Sequence, residues 1–489
     1  MTATSLETRT VSPVRRRATT VTPLGMLVLL LGAFLPMLDF FIVNVALPTI
    51  DGTLHASAPM LELVVAGYGT AFAVSLVVGG RLGDARGRRR LFTVGLAGFT
   101  LTSALCGLAP SVGVLIAARV LQGVSAALIQ PQVLATFQAT MEGEARSRAI
   151  GRYAATGGIA VVIGQLLGGL LLDANIAGTT WRPIFLVNVP VGLVALALAP
   201  RVVPSSRSPQ PAAVDVPGTA LLAATIVALL IPLTEGPALG WPVWSWVLLA
   251  AAPLFAVGLY RSGLRSERAG RTPLVPPSLV GLPIVRRGLL LAVPFFLGFG
   301  AFMFVFALTV QDGLGEDALH SGLAITPMAV AFFVGSLLMA RLYARFGAAM
   351  LGAGFALQAL GLLALLVVVA RQWPHVSLAA MAPGLVLAGF GQSLGLGSLF
   401  RTVLAGVPQR LAGVGSGMLT TVQQGSIALG VASLGSLFTG LESHGMRTAF
   451  LVVVGIQTGF AVILAAASPR RSPADAAAPA PADLVVDAA

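Results

Sequence analysis

Residues 34–48, FLPMLDFFIVNVALP, set one carboxylate, Asp39, inside a run of apolar residues reaching from Leu24 to Leu47. A run of that length suffices for a helix to cross the hydrocarbon core of a bilayer. The crossing takes about 20 residues, because every backbone amide must find its partner within the segment. The rest of the chain repeats the pattern. Its 489 residues are 56% hydrophobic and 10% charged, whereas soluble domains carry roughly 25% charged residues. The expected fold class is therefore all-α, a polytopic membrane protein with fourteen transmembrane helices. Apolar runs lie near 24–47, 60–80, 91–109, 112–134, 149–171, 183–200, 217–235, 243–260, 287–311, 322–340, 349–370, 378–400, 414–440 and 447–467. The first run is too long and too polar at its far end for a cleaved secretion signal, so it reads as a retained helix.

An even number of crossings puts both termini on one side, and arginine says which. All 30 basic residues are Arg, and only Arg182, Arg371 and Arg447 fall on the opposite side, with Arg119 left within a span. The positive-inside rule then places both ends in the cytoplasm of a plasma membrane protein. Topology accounts for the net charge of +12, and no nucleic acid need be invoked. The absence of Lys excludes a Walker A loop and a pyridoxal Schiff base, so no ATP is hydrolysed here. One cysteine, Cys106, rules out an intrachain disulfide or a cysteine-based metal cluster, and His55, His320, His375 and His444 sit in or beside outer loops without ligand spacing. No cofactor and no metal are expected, and the working form is expected to be a monomer in the lipid bilayer.

Polar breaks divide the chain. Residues 1–23 and 468–489, rich in Pro, Ala and charge, read as disordered cytoplasmic tails. Residues 24–200 hold the N-terminal six-helix bundle, 201–286 the cytoplasmic linkers with inserted helices seven and eight, and 287–467 the C-terminal six-helix bundle. A short echo, GRLGDARG at 80–87 and ARLYARFG at 340–347, fits repeated halves. Such repeats are the usual build of secondary transporters that rock one half against the other.

Several motifs then fall in order at the right spans. GGRLGDARGRRRLF (79–92) resembles the loop signature between helices two and three of the major facilitator superfamily, through Gly80, Leu82, Asp84, Gly87, Arg88 and Arg89. LIAARVLQGVSAA (115–127) resembles its helix-four signature through Arg119, Gln122 and Gly123. LDFFIVNVALP (38–48) and WRPIFLVNVPVG (181–192) are similar to the first-helix and sixth-helix motifs of the fourteen-span drug:proton antiporters, the EmrB/QacA type. The chain departs from that pattern at Ala85, at Phe41 and at Gly164-Gln165, where the family has Gly-Pro. The resemblance implies a proton-coupled antiporter exporting small, fairly hydrophobic drugs or antibiotic-like metabolites, with Asp84 in a gating role. An importer of the same fold is the alternative. A membrane-embedded transferase would need carboxylate clusters or His/Glu pairs that the spans lack.

The residues themselves mark four sets. Asp39 and Arg119 sit at matching depths, each roughly 11 Å below the outer surface at 1.5 Å per residue. An isolated charge at a span centre costs about 2.5 to 3.5 kcal/mol, so both should face the bundle interior. They form either a static ion pair or a proton-coupling pair: burial opposes the charged acid, a nearby Arg favours it, and a change in either trades a proton. Gly80, Asp84, Gly87, Arg88 and Arg89 form a loop whose arginines topology alone would explain and to which the resemblance gives a gating role. Gly157, Gly164 and Gly168, with Gln165 and Gly169, form a helix-packing seam, since glycine lets a neighbouring helix approach closely. Asn44, Gln122, Gln311, Gln392, Gln423 and Gln424 are candidates for the substrate cavity.

Overall fold

The computed structural model describes residues 21–208, 213–408 and 412–468; the expected tails therefore fall almost wholly outside the described residues. Among the described residues, fourteen helices are long and apolar enough to cross a membrane. They are α1 (Pro23–Leu54), α2 (Ala58–Arg86), α3 (Arg88–Gly107), α4 (Val112–Thr140), α5 (Glu144–Asp173), α6 (Pro183–Val202) and α7 (Val216–Glu235). They continue with α8 (Val243–Arg268), α9 (Pro283–Gly313), α10 (Ala318–Met339), α11 (Ala349–Gln372), α12 (Leu378–Ala405), α13 (Val414–His444) and α14 (Met446–Ala467). The chain is a multi-pass membrane protein. Most helices run past the apolar stretches expected for them, because polar residues extend them beyond the hydrocarbon: α2 continues through Asp84 to Arg86 and stops only at Gly87.

Local chemistry sets the helix starts. Thr22 accepts from the Gly25 amide at 3.1 Å, and Pro23 follows in the first turn, where its missing amide is no loss. Asp215 and Asp317 cap α7 and α10 in the same way. Bonding of the His320 amide and ring to Asp317 holds that carboxyl below the ordinary range. Gly87 joins α2 to α3 with φ +101°, a region that a side chain would resist.

Within the first six helices α2 packs on α4, α3 on α4 and α1 on α5; within the last six, α11 packs on α12, α10 on α12 and α9 on α13. Two seams join the sets, α5 against α10 and α2 against α13. Each seam thus pairs the fifth helix of one set with the second helix of the other, as two repeated halves facing each other would require. Helices α7 and α8 pack on each other, α7 also lies along α2, and α8 leaves Val243, Trp246, Val247 and Leu254 exposed. With no backbone edge left open, such a surface suits lipid.

Close approach of α2 and α4 depends on Gly123, where a β-carbon would stand 2.3 Å from the Tyr68 carbonyl oxygen. Overpacking of a tight interior costs about 1–3 kcal/mol. Gly123→Val is therefore expected to lower the apparent Tm in detergent by several degrees. Gly113→Val, on the same helix with nothing within 4 Å, should leave the Tm within a degree or two. The check is a thermal-shift series with size-exclusion readout on both variants.

Candidate coupling site

Five helices bring their polar groups to one point inside the first bundle. Arg119 Nη1 donates to Asp39 Oδ2, and both side chains are fully buried. The other carboxylate oxygen, Oδ1, accepts from Gln122 Nε2 at 2.9 Å and from Asn188 Nδ2 at 3.0 Å. Those two amides also reach Ser103 Oγ, at 2.8 and 3.3 Å. Arg119 Nη1 donates to Gln122 Oε1 at 2.7 Å, and Nε donates to the Val64 carbonyl at 3.0 Å. Its guanidinium lies 4.3 Å from the Tyr68 ring centre and 5.7 Å from that of Phe185. Tyr68 in turn donates to the Pro36 carbonyl at 3.0 Å. Within this cluster Arg119 Nη2 and Asn188 Oδ1 are left buried without a partner among the described residues.

The reason for this density is energetic. An ion in a low-dielectric interior loses several kcal/mol of hydration, which its counter-ion offsets only when further hydrogen bonds satisfy the remaining lone pairs and protons. Arg suits such a place, since its planar fork donates in several directions and stacks on rings.

Each expected site residue has a definite place. Asp39 and Arg119 are brought together. Gln122, expected at the substrate cavity, is instead fully buried and spent on Asp39, Arg119 and Ser103, because an amide next to a buried ion pair is drawn into satisfying it. Asn44 donates to the Phe40 carbonyl at 3.1 Å on its own helix, so it is turned along α1. Gln311 donates to the Val45 carbonyl at 3.0 Å and contacts Ser321 Oγ at 3.4 Å, which ties α9 to α1 and α10. Gln392 is buried with its amide nitrogen unpartnered among the described residues, while Gln423 and Gln424 are half-buried on α13.

The glycines of α5 serve two faces. A β-carbon on Gly164 would meet Phe41 Cβ at 3.0 Å and one on Gly168 would meet Ile42 Cγ1 at 3.0 Å, whereas one on Gly157 would stand 3.5 Å from Met37 Sδ. That face lies on α1. On the other face a β-carbon on Gly169 would meet Ala318 and Leu319 of α10 at 2.8 Å, so α5 is held between α1 and the second half. Gln165 Nε2 points to the Phe41 carbonyl at 3.5 Å, and α5 runs through that position as one continuous helix.

In the loop after α2, Arg88 Nη2 lies 2.7 Å from Asp84 Oδ1, an i,i+4 pair around Gly87, while a β-carbon on Gly80 would sit 3.6 Å from Pro131 of α4. The loop is tied to the segment following α6. The Ser208 amide donates to the Asp84 carbonyl at 3.2 Å, the Arg88 amide to the Ser206 carbonyl at 3.0 Å, and Arg89 Nη1 to the Pro200 carbonyl at 3.2 Å. Arg81 reaches both linkers, donating to the carbonyls of Ala213 at 2.6 Å and Pro273 at 2.7 Å.

Sequence reading missed Ser103, Asn188 and Glu62. Asn188 was visible as the one amide within an otherwise apolar sixth span, whereas Ser103 carries no signal, since serine within a helix is common.

Against known proteins, the Major Facilitator Superfamily profile matches residues 29–431. The chain belongs to the Major Facilitator Superfamily. Among relatives of this superfamily member, the probable actinorhodin transporter of Streptomyces coelicolor is 38% identical over 83% of this chain and 70% of that protein. The tetracenomycin C resistance and export protein of Streptomyces glaucescens is 32% identical over 84% of this chain and 74% of that protein. A solved POT family transporter in complex with 5-aminolevulinic acid is similar in fold, with a TM-score of 0.66 and 14% identity over 92% of this chain and 96% of that one. This member of the superfamily is a transporter of small molecules and not an enzyme.

Removing one partner of a buried pair typically costs about 3–5 kcal/mol, because the other charge is left uncompensated. Arg119→Met is therefore expected to lower the Tm strongly. The double variant Asp39→Asn/Arg119→Met should recover part of that loss, since Asn still accepts from Gln122 and Asn188. A thermal-shift double-mutant cycle checks this.

Proposed function

We propose that this transporter is a proton-coupled antiporter that exports small, fairly hydrophobic, antibiotic-like molecules, with Asp39 as the proton carrier and Arg119 as its partner. One observation carries the reading: α1 holds Asp39 in the buried cluster and, on the following turns, touches the second half directly. The rings of Phe41 and Phe299 meet edge-on at 6.2 Å, and the Val45 carbonyl accepts from Gln311. A proton added to Asp39 weakens its hold on Arg119 and releases α1 to shift, and the shift is felt at the seam one turn away. Alternating access requires such a link between a protonation site and the packing of two halves.

The energetics are adequate. One proton moving inward through ~100 mV supplies about 2.3 kcal/mol, and a pH difference of one unit adds about 1.4 kcal/mol. Together they support roughly a 500-fold gradient of a neutral substrate exchanged one for one. The substrate class is supported by the names of the relatives, one of which is an export protein for tetracenomycin C, and by the aromatic pair at the seam, on which flat molecules can stack. The arginine asymmetry supports a plasma membrane protein with both ends cytoplasmic, working as a monomer with helices α7 and α8 inserted between two six-helix bundles.

The test uses wild type and Asp39→Asn in vesicles with an imposed pH gradient, recording lumenal pH as lipophilic cations and neutral aromatic antibiotics are added. Substrate-triggered proton leak is expected in wild type and absent in an equally folded variant. Leak of equal size in both reduces Asp39 to a static partner of Arg119. Uptake of labelled substrate driven with the proton gradient, rather than against it, identifies an importer.

A further inference from the structure

A second carboxyl group is buried in the membrane-spanning region, and the cluster around Asp39 makes no use of it. Glu62, in the first turns of α2, is 1% exposed and has no ion pair among the described residues. It lies across the seam between the halves: its Oε2 is 2.5 Å from Ser436 Oγ of α13. Thr439, also on α13, and Glu235, the last residue of α7, are the other polar groups facing it. Glu235 carries like charge, and among the described residues no cation is paired with either acid. A β-carbon on Gly435 would stand 3.8 Å from Glu62 Cδ and 3.3 Å from the Phe304 ring.

Three oxygens meet at this contact, and Ser436 brings one hydrogen to it. Ser436 Oγ lies 2.8 Å from the Ala432 carbonyl as well as 2.5 Å from Glu62 Oε2, yet a serine hydroxyl has one hydrogen to give. The back-bond to the carbonyl four residues earlier is the usual place for that hydrogen in a helix. Oxygen against oxygen at 2.5 Å with no shared proton is repulsive. A neutral Glu62 brings a second hydrogen to the group, so that Oε2–H can donate to Ser436 Oγ while the serine O–H donates to the Ala432 carbonyl and both contacts are satisfied. Glu62 Oε1 has no partner among the described residues. That is tolerable for the carbonyl oxygen of a neutral acid and costly for a carboxylate.

The site is also a weak point of the backbone. Residues Val431–Gly435, just before Ser436, form a π-helical turn, a device that locally alters helix register and often marks functional positions. Another stands at the corresponding end of α9, at Thr309–Gly313, and includes Gln311. Both helices thus carry an irregular turn toward the same end, one holding Gln311 and the other just before Ser436.

We infer that Glu62 is a second proton-binding site, a latch that holds the distal ends of α2 and α13 together when protonated and lets them separate when the proton leaves. Its place near the start of α2 gives it water from the distal side as soon as the seam parts, so protons arriving there favour closure. The inference rests on the proton-coupled reading above but assigns Glu62 a separate role. Glu62 sets when the distal face closes, while Asp39 carries the exchanged proton.

The test is a distance measurement between nitroxide labels on Leu108→Cys and Ser443→Cys, one exposed distal position in each half, on the full chain in lipid nanodiscs from pH 5 to pH 9. Cys106 is buried and stays unlabelled. The parent should show a single short distance at low pH and a growing longer population as pH rises. Glu62→Gln, which keeps a neutral group in place, should hold the short distance throughout. Ser436→Ala removes the partner of the acid proton and should move the midpoint about 0.5 to 1 pH unit lower, the worth of one hydrogen bond; it serves if Glu62→Gln does not fold. Asp39→Asn should keep the pH response, even where vesicle assays show no proton exchange. An unchanged response in Glu62→Gln or in Ser436→Ala, no response in the parent, or loss of the response in Asp39→Asn alone, each overturns the latch.

Discussion

A carboxylate and a guanidinium removed from water must be neutralised and almost fully hydrogen-bonded, and in this transporter that requirement governs the whole first bundle. Asp39 cannot be satisfied by Arg119 alone. Its second oxygen draws in Gln122 and Asn188, both of which rest on Ser103, and Arg119 draws in the Val64 carbonyl and the face of Tyr68. Helices α1, α2, α3, α4 and α6 are thereby fixed around one point. Hydrophobic packing cannot supply that kind of specification between transmembrane helices, because lipid tails are as apolar as the side chains they would replace.

The remaining helix of the bundle, α5, is left out of the polar cluster and has another duty. Glycines on its two faces let it lie against α1 and against α10 at near-contact distance, so α5 is held between α1 and the second half. Seam and cluster are therefore not independent. Gln165 lies within a continuous α5 and adds a polar contact to the Phe41 carbonyl.

The end of the molecule where α1 begins is organised by backbone carbonyls. Arg81, Arg88 and Arg89 bond the segments that precede α7 and follow α8, which fastens the extra helix pair to the end of α2. The loop signature is thus a fastening as well as a candidate gate. At the opposite end the polar contacts between the halves include Gln311 to Val45 and Glu62 to Ser436, set within an apolar cluster that both halves share.

The sequence by itself determined the fold class and the fourteen helices long and apolar enough to cross a membrane, because these follow from length and hydropathy, both of which are local. It marked the glycine face of α5 for the same reason, since spacing along one helix needs no partner. What it left undecided is everything that depends on helix rotation. Gln122 and Asn44 looked like cavity residues, yet one is spent on a buried ion pair and the other on its own helix. Glu62 drew no reading from the sequence, since a carboxylate near a helix start is favoured in any case. Only the crossing of α13 over the start of α2 buries it and gives it Ser436. The partner of a polar side chain in a membrane bundle lies on another helix, often hundreds of residues away, and only the tertiary structure decides which one.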